Sequence, residues 1–121
     1  MVGSFENQRI YLNLEISGVF TKNKKAIKAH IDTGFDGDLT LPFTEAFPLG
    51  LVLIGTTAYT IADGSTMHNF VCLGQVTIDG KLISVAIDIQ PKGTILVGMK
   101  LLAKIGKTMQ VNFAKQSIAF S

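Results

Sequence analysis

The sequence predicts an all-β domain with one short helix near its C-terminus. Along two segments, 10–16 and 83–89, apolar residues alternate with polar ones, as in strands that bury one face. Asp-Gly pairs at 63–64 and 79–80 each stand between two apolar runs, which is the signal of a tight β-hairpin turn. The segment 99–106 is the one with apolar residues near helical spacing.

The first strands flank a lysine-rich loop. The alternating segment 10–16 is one strand, and AIKAHI, 26–31, is the next. The lysine cluster between Lys22 and Lys28 is interpreted as part of a solvated hairpin loop rather than a nucleic-acid surface, because no stacking aromatic residues or groove motif accompany it. We therefore expect no nucleic-acid partner.

The C-terminal part contains the predicted helix. It covers MKLLAKIG, 99–106, and Gly106 is suited to end it. QVNF, 110–113, and SIAF, 117–120, are predicted to be the last two strands. No linker, repeat or low-complexity stretch divides the chain, so residues 1–121 are predicted to form a single domain.

Composition restricts the class of protein. The chain has 121 residues, 47% of them hydrophobic, and a net charge of +2. This hydrophobic content is high for a small monomer, so we expect another copy of the chain to cover part of the surface. The most apolar run, FPLGLVLIG at 47–55, is interrupted by Pro48 and is far shorter than the ~20 residues of a membrane-spanning helix. No membrane partner is expected.

The cellular location is predicted from two features. The N-terminal stretch MVGSFENQRI has neither the basic start nor the apolar core of a signal peptide. The single cysteine, Cys72, cannot form a disulfide within the chain. A reducing, cytoplasmic setting is therefore expected.

The segment HIDTGFDGDLTLP, 30–42, contains Asp32, Asp36 and Asp38 between apolar residues. It does not fit a calcium loop, because the third and twelfth positions counted from Asp32 are a glycine and a phenylalanine instead of oxygen ligands. No metal or other cofactor is expected. Asp38 is interpreted as a solvated strand residue. Asp-Thr-Gly alone is most often a turn, so its meaning depends on the rest of the chain.

A second motif follows later in the chain. TILVGMKLLAKIG, 94–106, is an apolar strand that reaches a glycine and continues into an apolar helix. In combination with Asp32-Thr33-Gly34 and the hairpin YTIADGSTMHNF, 59–70, it resembles the retropepsin-like aspartic proteases, the single-domain family of the retroviral proteases. The resemblance covers nearly the whole chain. It implies a closed, barrel-like acid protease fold, a homodimer, and a flap formed by residues 59–70.

The resemblance further implies an aspartic endopeptidase that hydrolyses peptide bonds of extended polypeptides. Hydrolysis without a metal or a covalent nucleophile needs one carboxylate that takes a proton from water and one carboxylic acid that donates a proton. The sequence contains one Asp-Thr-Gly, so the second Asp32 would come from a second copy of the chain. A homodimer and a polypeptide substrate are the partners expected.

The resemblance also implies residue roles. Asp32 would activate water, Thr33 would form hydrogen bonds across the dimer axis, and Gly34 would leave room for the substrate backbone. Phe35 and Asp36, which follow directly, are expected to contact the substrate. The flap tip would close over it. The expected contacts at this tip are Ala62, Asp63, Gly64 and Ser65.

Two departures from the family pattern keep a second hypothesis open. Phe35 stands where the family usually has Ala or Ser. Met99 stands where it often has an Arg that pairs with the acid equivalent to Asp36, so Lys100 or Arg9 would have to supply that cation. The alternative is a catalytically inactive module of the same dimeric fold that binds peptides or serves as a scaffold.

Overall fold

Residues 2–121, which the computed structural model describes, form ten strands and two short helices. The strands are β1 (Val2–Glu6), β2 (Arg9–Ser17), β3 (Lys24–Ile31), β4 (Leu39–Pro42), β5 (Val52–Thr60), β6 (Thr66–Ile78), β7 (Lys81–Gln90), β8 (Leu96–Val97), β9 (Met109–Asn112) and β10 (Ser117–Phe120). The helices are α1 (Phe43–Ala46), which runs into a 3-10 turn (Phe47–Leu49), and α2 (Met99–Ile105). The prediction of an all-β chain is confirmed.

The main sheet closes on itself. Its strand order is β1-β2-β3-β8-β4-β7-β6-β5, and β2 also pairs with β6. Six strands, from β2 through β3, β8, β4 and β7 to β6, therefore form a closed ring. Closure removes most free strand edges and encloses one apolar core. The largest fully buried aliphatic side chains of this core are Leu12, Ile16, Leu39, Leu41, Val76, Val85, Ile87, Val97 and Leu101.

The two predicted Asp-Gly hairpins are present. β5 pairs with β6 up to Thr60 opposite Thr66, and β6 pairs with β7 up to Ile78 opposite Lys81. At the second turn both central residues have positive φ, 52° at Asp79 and 75° at Gly80. A type I′ turn requires this conformation and matches the twist of the flanking strands, which explains why Asp-Gly is found there.

The predicted C-terminal elements are also present. Helix α2 ends at Ile105, and Gly106 follows in the left-handed region with φ of 70°, as expected for its role as a helix stop. Strands β9 and β10 form a separate hairpin that packs on β1. None of the helices formed by residues 2–121 is long and apolar enough to cross a membrane.

Strand β1 and helix α1 were not predicted, and each lacks a local signal. β1 joins β2 through Asn7 and Gln8, which both have positive φ. Asn-Gln is not a pair that marks a tight hairpin turn as Asp-Gly does, so there is no turn signal in the sequence here. Helix α1 has four residues, too few for a 3.6-residue period to be visible, and Ala46 is its buried residue. Both elements depend on contacts with the sheet rather than on their own sequence.

Candidate active site

The Asp32 turn begins where β3 ends. The N–H of Asp32 donates to the carbonyl of Val97, 2.9 Å away on β8. The N–H of Gly34 donates to Asp32 Oδ1 at 2.9 Å, and the N–H of Phe35 donates to the Asp32 carbonyl at 3.1 Å. The half-buried Asp32 carboxylate is thus held inside a tight turn, while Thr33 and Gly34 are exposed at the surface of the chain.

The turn is packed directly against the second motif. The N–H of Met99 donates to the Phe35 carbonyl at 2.8 Å, and the N–H of Gly98 donates to the Asp38 carbonyl at 3.0 Å. A Cβ on Gly98 would lie 2.2 Å from the Gly37 carbonyl oxygen and 2.6 Å from Phe35 Cδ2. Since no side chain fits into this space, a glycine is required here. The two motifs form one hydrogen-bonded unit.

A cavity of about 910 Å³ opens beside this unit. Its wall on the side of the Asp32 turn is formed by residues 34–38, which include the predicted contacts Gly34, Phe35 and Asp36. The β5–β6 hairpin supplies the opposite wall with Thr57, Ala58, Tyr59, Asn69 and Val71. The remaining lining residues are Ala86, Asp88, Gln90, Pro91, Lys92 and Lys100. The volume is in the range of sites that bind small molecules or peptide side chains.

The four predicted flap-tip residues lie outside this lining, at the end of the β5–β6 hairpin, and all four are exposed. The turn is closed by the N–H of Ile61, which donates to the Ser65 carbonyl at 3.0 Å. The hydroxyl and the N–H of Ser65 donate to Asp63 Oδ1 at 2.6 and 2.8 Å, and these hydrogen bonds lower the pKa of Asp63. Gly64 has φ of 88° and open space around it. The tip therefore projects into solvent in the single chain.

The prediction that Asp38 is solvated is wrong, since this residue is 2% exposed. Its Oδ2 accepts hydrogen bonds from the N–H of Ala86 at 2.9 Å and from Lys104 Nζ at 2.7 Å. Lys104 lies on α2, which covers the start of β4, and this tertiary contact is why Asp38 is buried and paired. Within residues 2–121 no ion pair joins Asp36 to Lys100 or Arg9.

Replacing Lys104 by Met is expected to lower the free energy of unfolding by about 2 kcal/mol. The change leaves the Asp38 carboxylate buried without its cation, which destabilises the folded state. Water reduces this destabilisation, because the Lys104 side chain is 39% exposed. Urea denaturation measures the difference. The matched control is Lys107→Met, which removes a more exposed ion pair with Asp79 and should cost less than about 1 kcal/mol. Equal losses in the two variants would contradict the structural role of Lys104.

Comparison with known proteins bears on the fold. The sequence matches no family model and no curated protein sequence. The structure is similar to that of the EIAV protease complexed with the inhibitor HBY-793, with a TM-score of 0.64 and 16% identity over 87% of this chain and 95% of that one. It is also similar to the solution structure of the Simian Foamy Virus (mac) protease, with a TM-score of 0.58 and 22% identity over 81% of this chain and 97% of that one. The chain has the retropepsin-like fold.

This result confirms the fold that the two motifs and their order predicted. In the retropepsin-like fold of this chain, the Asp32 turn and the Gly98 motif meet because β3 and β8 are parallel neighbours, with Ile31 opposite Val97. Two residues near the site were missed by sequence reasoning: Asp88, which lines the cavity, and Lys104, which pairs with Asp38. The alternation of β7 places Asp88 on the face opposite the core. That this face borders the cavity depends on the segment 34–38 and the β5–β6 hairpin, which form the other walls.

Proposed function

We propose that the chain is an aspartic endopeptidase that hydrolyses peptide bonds in extended polypeptides. The observation that carries this proposal is the Asp32 carboxylate, held by the Gly34 N–H in a turn that adjoins the 910 Å³ cavity beneath the β5–β6 hairpin. The retropepsin-like fold and its similarity to two solved proteases support it.

The proposal includes a homodimer. Each chain supplies one Asp32, and the exposure of Thr33 and Gly34 leaves the turn accessible to the same turn of a second copy. Large apolar side chains are also exposed on the single chain, among them Phe20 at 83% and Phe113 at 73%. Covering such surface is a source of association energy. The exposed turn supports a two-fold interface at the turn itself, and the exposed apolar side chains support association of the chain in general.

The proposed chemistry uses the two Asp32 carboxylates together. At a separation of ~3 Å and an effective dielectric constant of ~20, two ionised carboxylates repel by ~5 kcal/mol, so the pair would hold one proton. The ionised member takes a proton from water while the protonated member donates to the scissile carbonyl. Thr33 would hold the two turns in register across the axis, and Gly34 leaves space for the substrate backbone.

The remaining predicted site residues have supporting roles in this proposal. The ring of Phe35 folds over its own turn, since a Cβ on Gly37 would lie 2.7 Å from Phe35 Cζ. Phe35 therefore shapes the wall of the cavity, and Asp36 lies beside it in contact with bound polypeptide. The tip formed by residues 62–65 would move down over the substrate as a flap, because its turn is exposed and is closed by its own hydrogen bonds.

A second candidate function is a catalytically inactive, dimeric peptide-binding or scaffold module. Phe35 in place of a small residue favours it, because the position offers no hydroxyl to the Asp32 carboxylate. Incubation with an unfolded protein separates the two functions. The endopeptidase should produce fragments, and a statine-type inhibitor should stop their formation. The binding module would retain the polypeptide without cleaving it.

Activity should depend on pairing of chains. On dilution through the dimer dissociation constant, specific activity is expected to fall, because a monomer has one Asp32. Excess Asp32→Asn chain mixed with wild type should also reduce activity, in proportion to random formation of mixed dimers. Native mass spectrometry would verify subunit exchange. Constant activity per wild-type chain in both experiments would contradict a shared site.

A cytoplasmic location and a one-domain organisation over residues 1–121 complete the proposal. They rest on the sequence features described above, including the single Cys72. The enzyme would act without a metal or other cofactor, since the two carboxylates supply both the base and the acid. Its partners would be a second copy of the chain and a polypeptide, with neither nucleic acid nor membrane involved.

A further inference from the structure

Asp88 is a carboxylate in the cavity to which the proposed chemistry gives no role. It lies on the central strand β7, opposite Thr40 of β4 and Val71 of β6. Its neighbours Ile87 and Ile89 point into the core, so Asp88 points to the other face, where it lines the 910 Å³ cavity. It is half-buried, and it forms no ion pair with any lysine or arginine of residues 2–121.

Asp38 lines the same cavity and has an unused acceptor. Its Oδ2 accepts hydrogen bonds from Ala86 and Lys104, but its Oδ1 is buried and has no hydrogen-bond partner among the described residues. A buried acceptor without a donor is costly, and native structures contain few of them. Burial, and then the negative charge of Asp38, raise the pKa of Asp88. Asp38 also lies close to Asp88 in the fold, because its Oδ2 accepts the N–H of Ala86, two residues before Asp88 on β7.

A cationic group in the cavity would give Asp88 the partner that it lacks. A lysine ammonium or an arginine guanidinium carries several N–H donors, and hydrogen bonds from a charged donor to a carboxylate are stronger than neutral ones. Its aliphatic stem could pack along apolar wall residues such as Val71 and Tyr59. Lys92 and Lys100 also line the cavity, but both are exposed and neither pairs with Asp38 or Asp88.

We propose that Asp88 and Asp38 form a subsite that receives the lysine or arginine side chain of a bound polypeptide. Asp88 is the residue that determines this specificity, because it is the one without a partner. Asp38, held by Lys104, lies beside it in the lining of the cavity. The proposal rests on the proposed function, since it assumes that a polypeptide occupies the cavity. It adds a substrate class, polypeptides with a basic residue at one defined position.

The subsite can be tested by peptide binding. Fluorescein-labelled decapeptides, each with one lysine at one of six central positions, are compared with peptides that have norleucine at the same position. Binding to the Asp32→Asn chain, which prevents turnover, is measured by fluorescence anisotropy. At one position lysine is expected to bind ~10-fold or more tighter than norleucine, the size of one charge-assisted hydrogen bond. A ratio near one at all positions, or no binding of any lysine peptide, overturns the subsite.

Substitution of Asp88 tests whether this residue causes the preference for lysine over norleucine. Asp88→Asn should bring the ratio of lysine to norleucine affinity close to one, and Asp88→Lys should reverse the preference toward a glutamate peptide. Glu15→Gln is the matched control, because it removes the same charge from β2 outside the cavity lining, and it should leave the ratio unchanged. An unchanged ratio in Asp88→Asn overturns the proposal.

Two further measurements distinguish failure of the subsite from loss of the fold and from failure of the proposed endopeptidase. Asp88→Asn is expected to melt no lower than the Asp32→Asn parent, because it removes a carboxylate whose ionisation burial disfavours. The wild-type chain is then tested for cleavage of the same peptides. A lysine preference that depends on Asp88, found without any cleavage, supports the subsite and contradicts the endopeptidase.

Discussion

Replacing Asp32 with Asn is expected to lower the rate of peptide hydrolysis by ~100-fold or more while the chain still folds. Asn has nearly the same shape as Asp, and its Oδ1 can still accept the N–H of Gly34 that Asp32 accepts at 2.9 Å. What the variant loses is the ability to take and donate a proton. Cleavage of an unfolded protein, with and without a statine-type inhibitor, measures the loss.

The control for this experiment is a second Asp→Asn change outside the cavity. Asp79→Asn lies in the β6–β7 turn, where φ is 52°, a conformation that Asn also tolerates. This variant should keep the activity of the wild type. Circular dichroism and a thermal melt establish that both variants are folded. Residual activity above about one per cent in Asp32→Asn, relative to the inhibitor-sensitive wild-type rate, would contradict the role of Asp32.

The Gly98→Ala substitution is expected to lower the free energy of unfolding by about 3 kcal/mol or more and to remove activity. The cause is steric. The φ of Gly98 is −102°, which alanine adopts without strain, but the added Cβ would lie 2.2 Å from the Gly37 carbonyl oxygen. Relief requires the Asp32 turn and the start of α2 to separate, so the hydrogen bond from Met99 to Phe35 would be lost.

Gly55→Ala is the matched control for this prediction. Gly55 lies on β5, and a Cβ there would meet no atom within 4 Å. The free energy of unfolding of the Gly55→Ala variant should differ from that of the wild type by less than about 0.5 kcal/mol. Urea denaturation of both variants measures the comparison. If Gly98→Ala were as stable as Gly55→Ala, the two motifs would not form the tight unit described above.

Much of the fold could be predicted because its signals are local. The alternation in β2 and β7 follows from a strand with one buried face, and the Asp79-Gly80 turn follows from the positive φ that a two-residue hairpin requires. The end of α2 at Gly106 has a similar origin. By contrast, β1 and α1 are short and are stabilised by what they pack on, so nothing in their own residues indicates them.

Part of the candidate site was predictable for a related reason. Asp32-Thr33-Gly34 and Gly98 occur in sequence motifs, and the order of these motifs along the chain predicted the fold that brings them together. The predicted contacts Gly34, Phe35 and Asp36 do line one cavity. The predicted flap-tip residues 62–65 do not, because the end of the β5–β6 hairpin lies outside the cavity lining.

By itself, the amino-acid sequence determined the all-β class, the hairpins, the C-terminal helix and the order of the two motifs. Only the tertiary structure decided the environment of the carboxylates. Asp38 is buried because α2 brings Lys104 to it, and Asp88 faces the cavity because the segment after Asp32 and the β5–β6 hairpin both border that face of β7. Both facts depend on contacts between residues far apart in the chain, and local periodicity contains no information about such contacts.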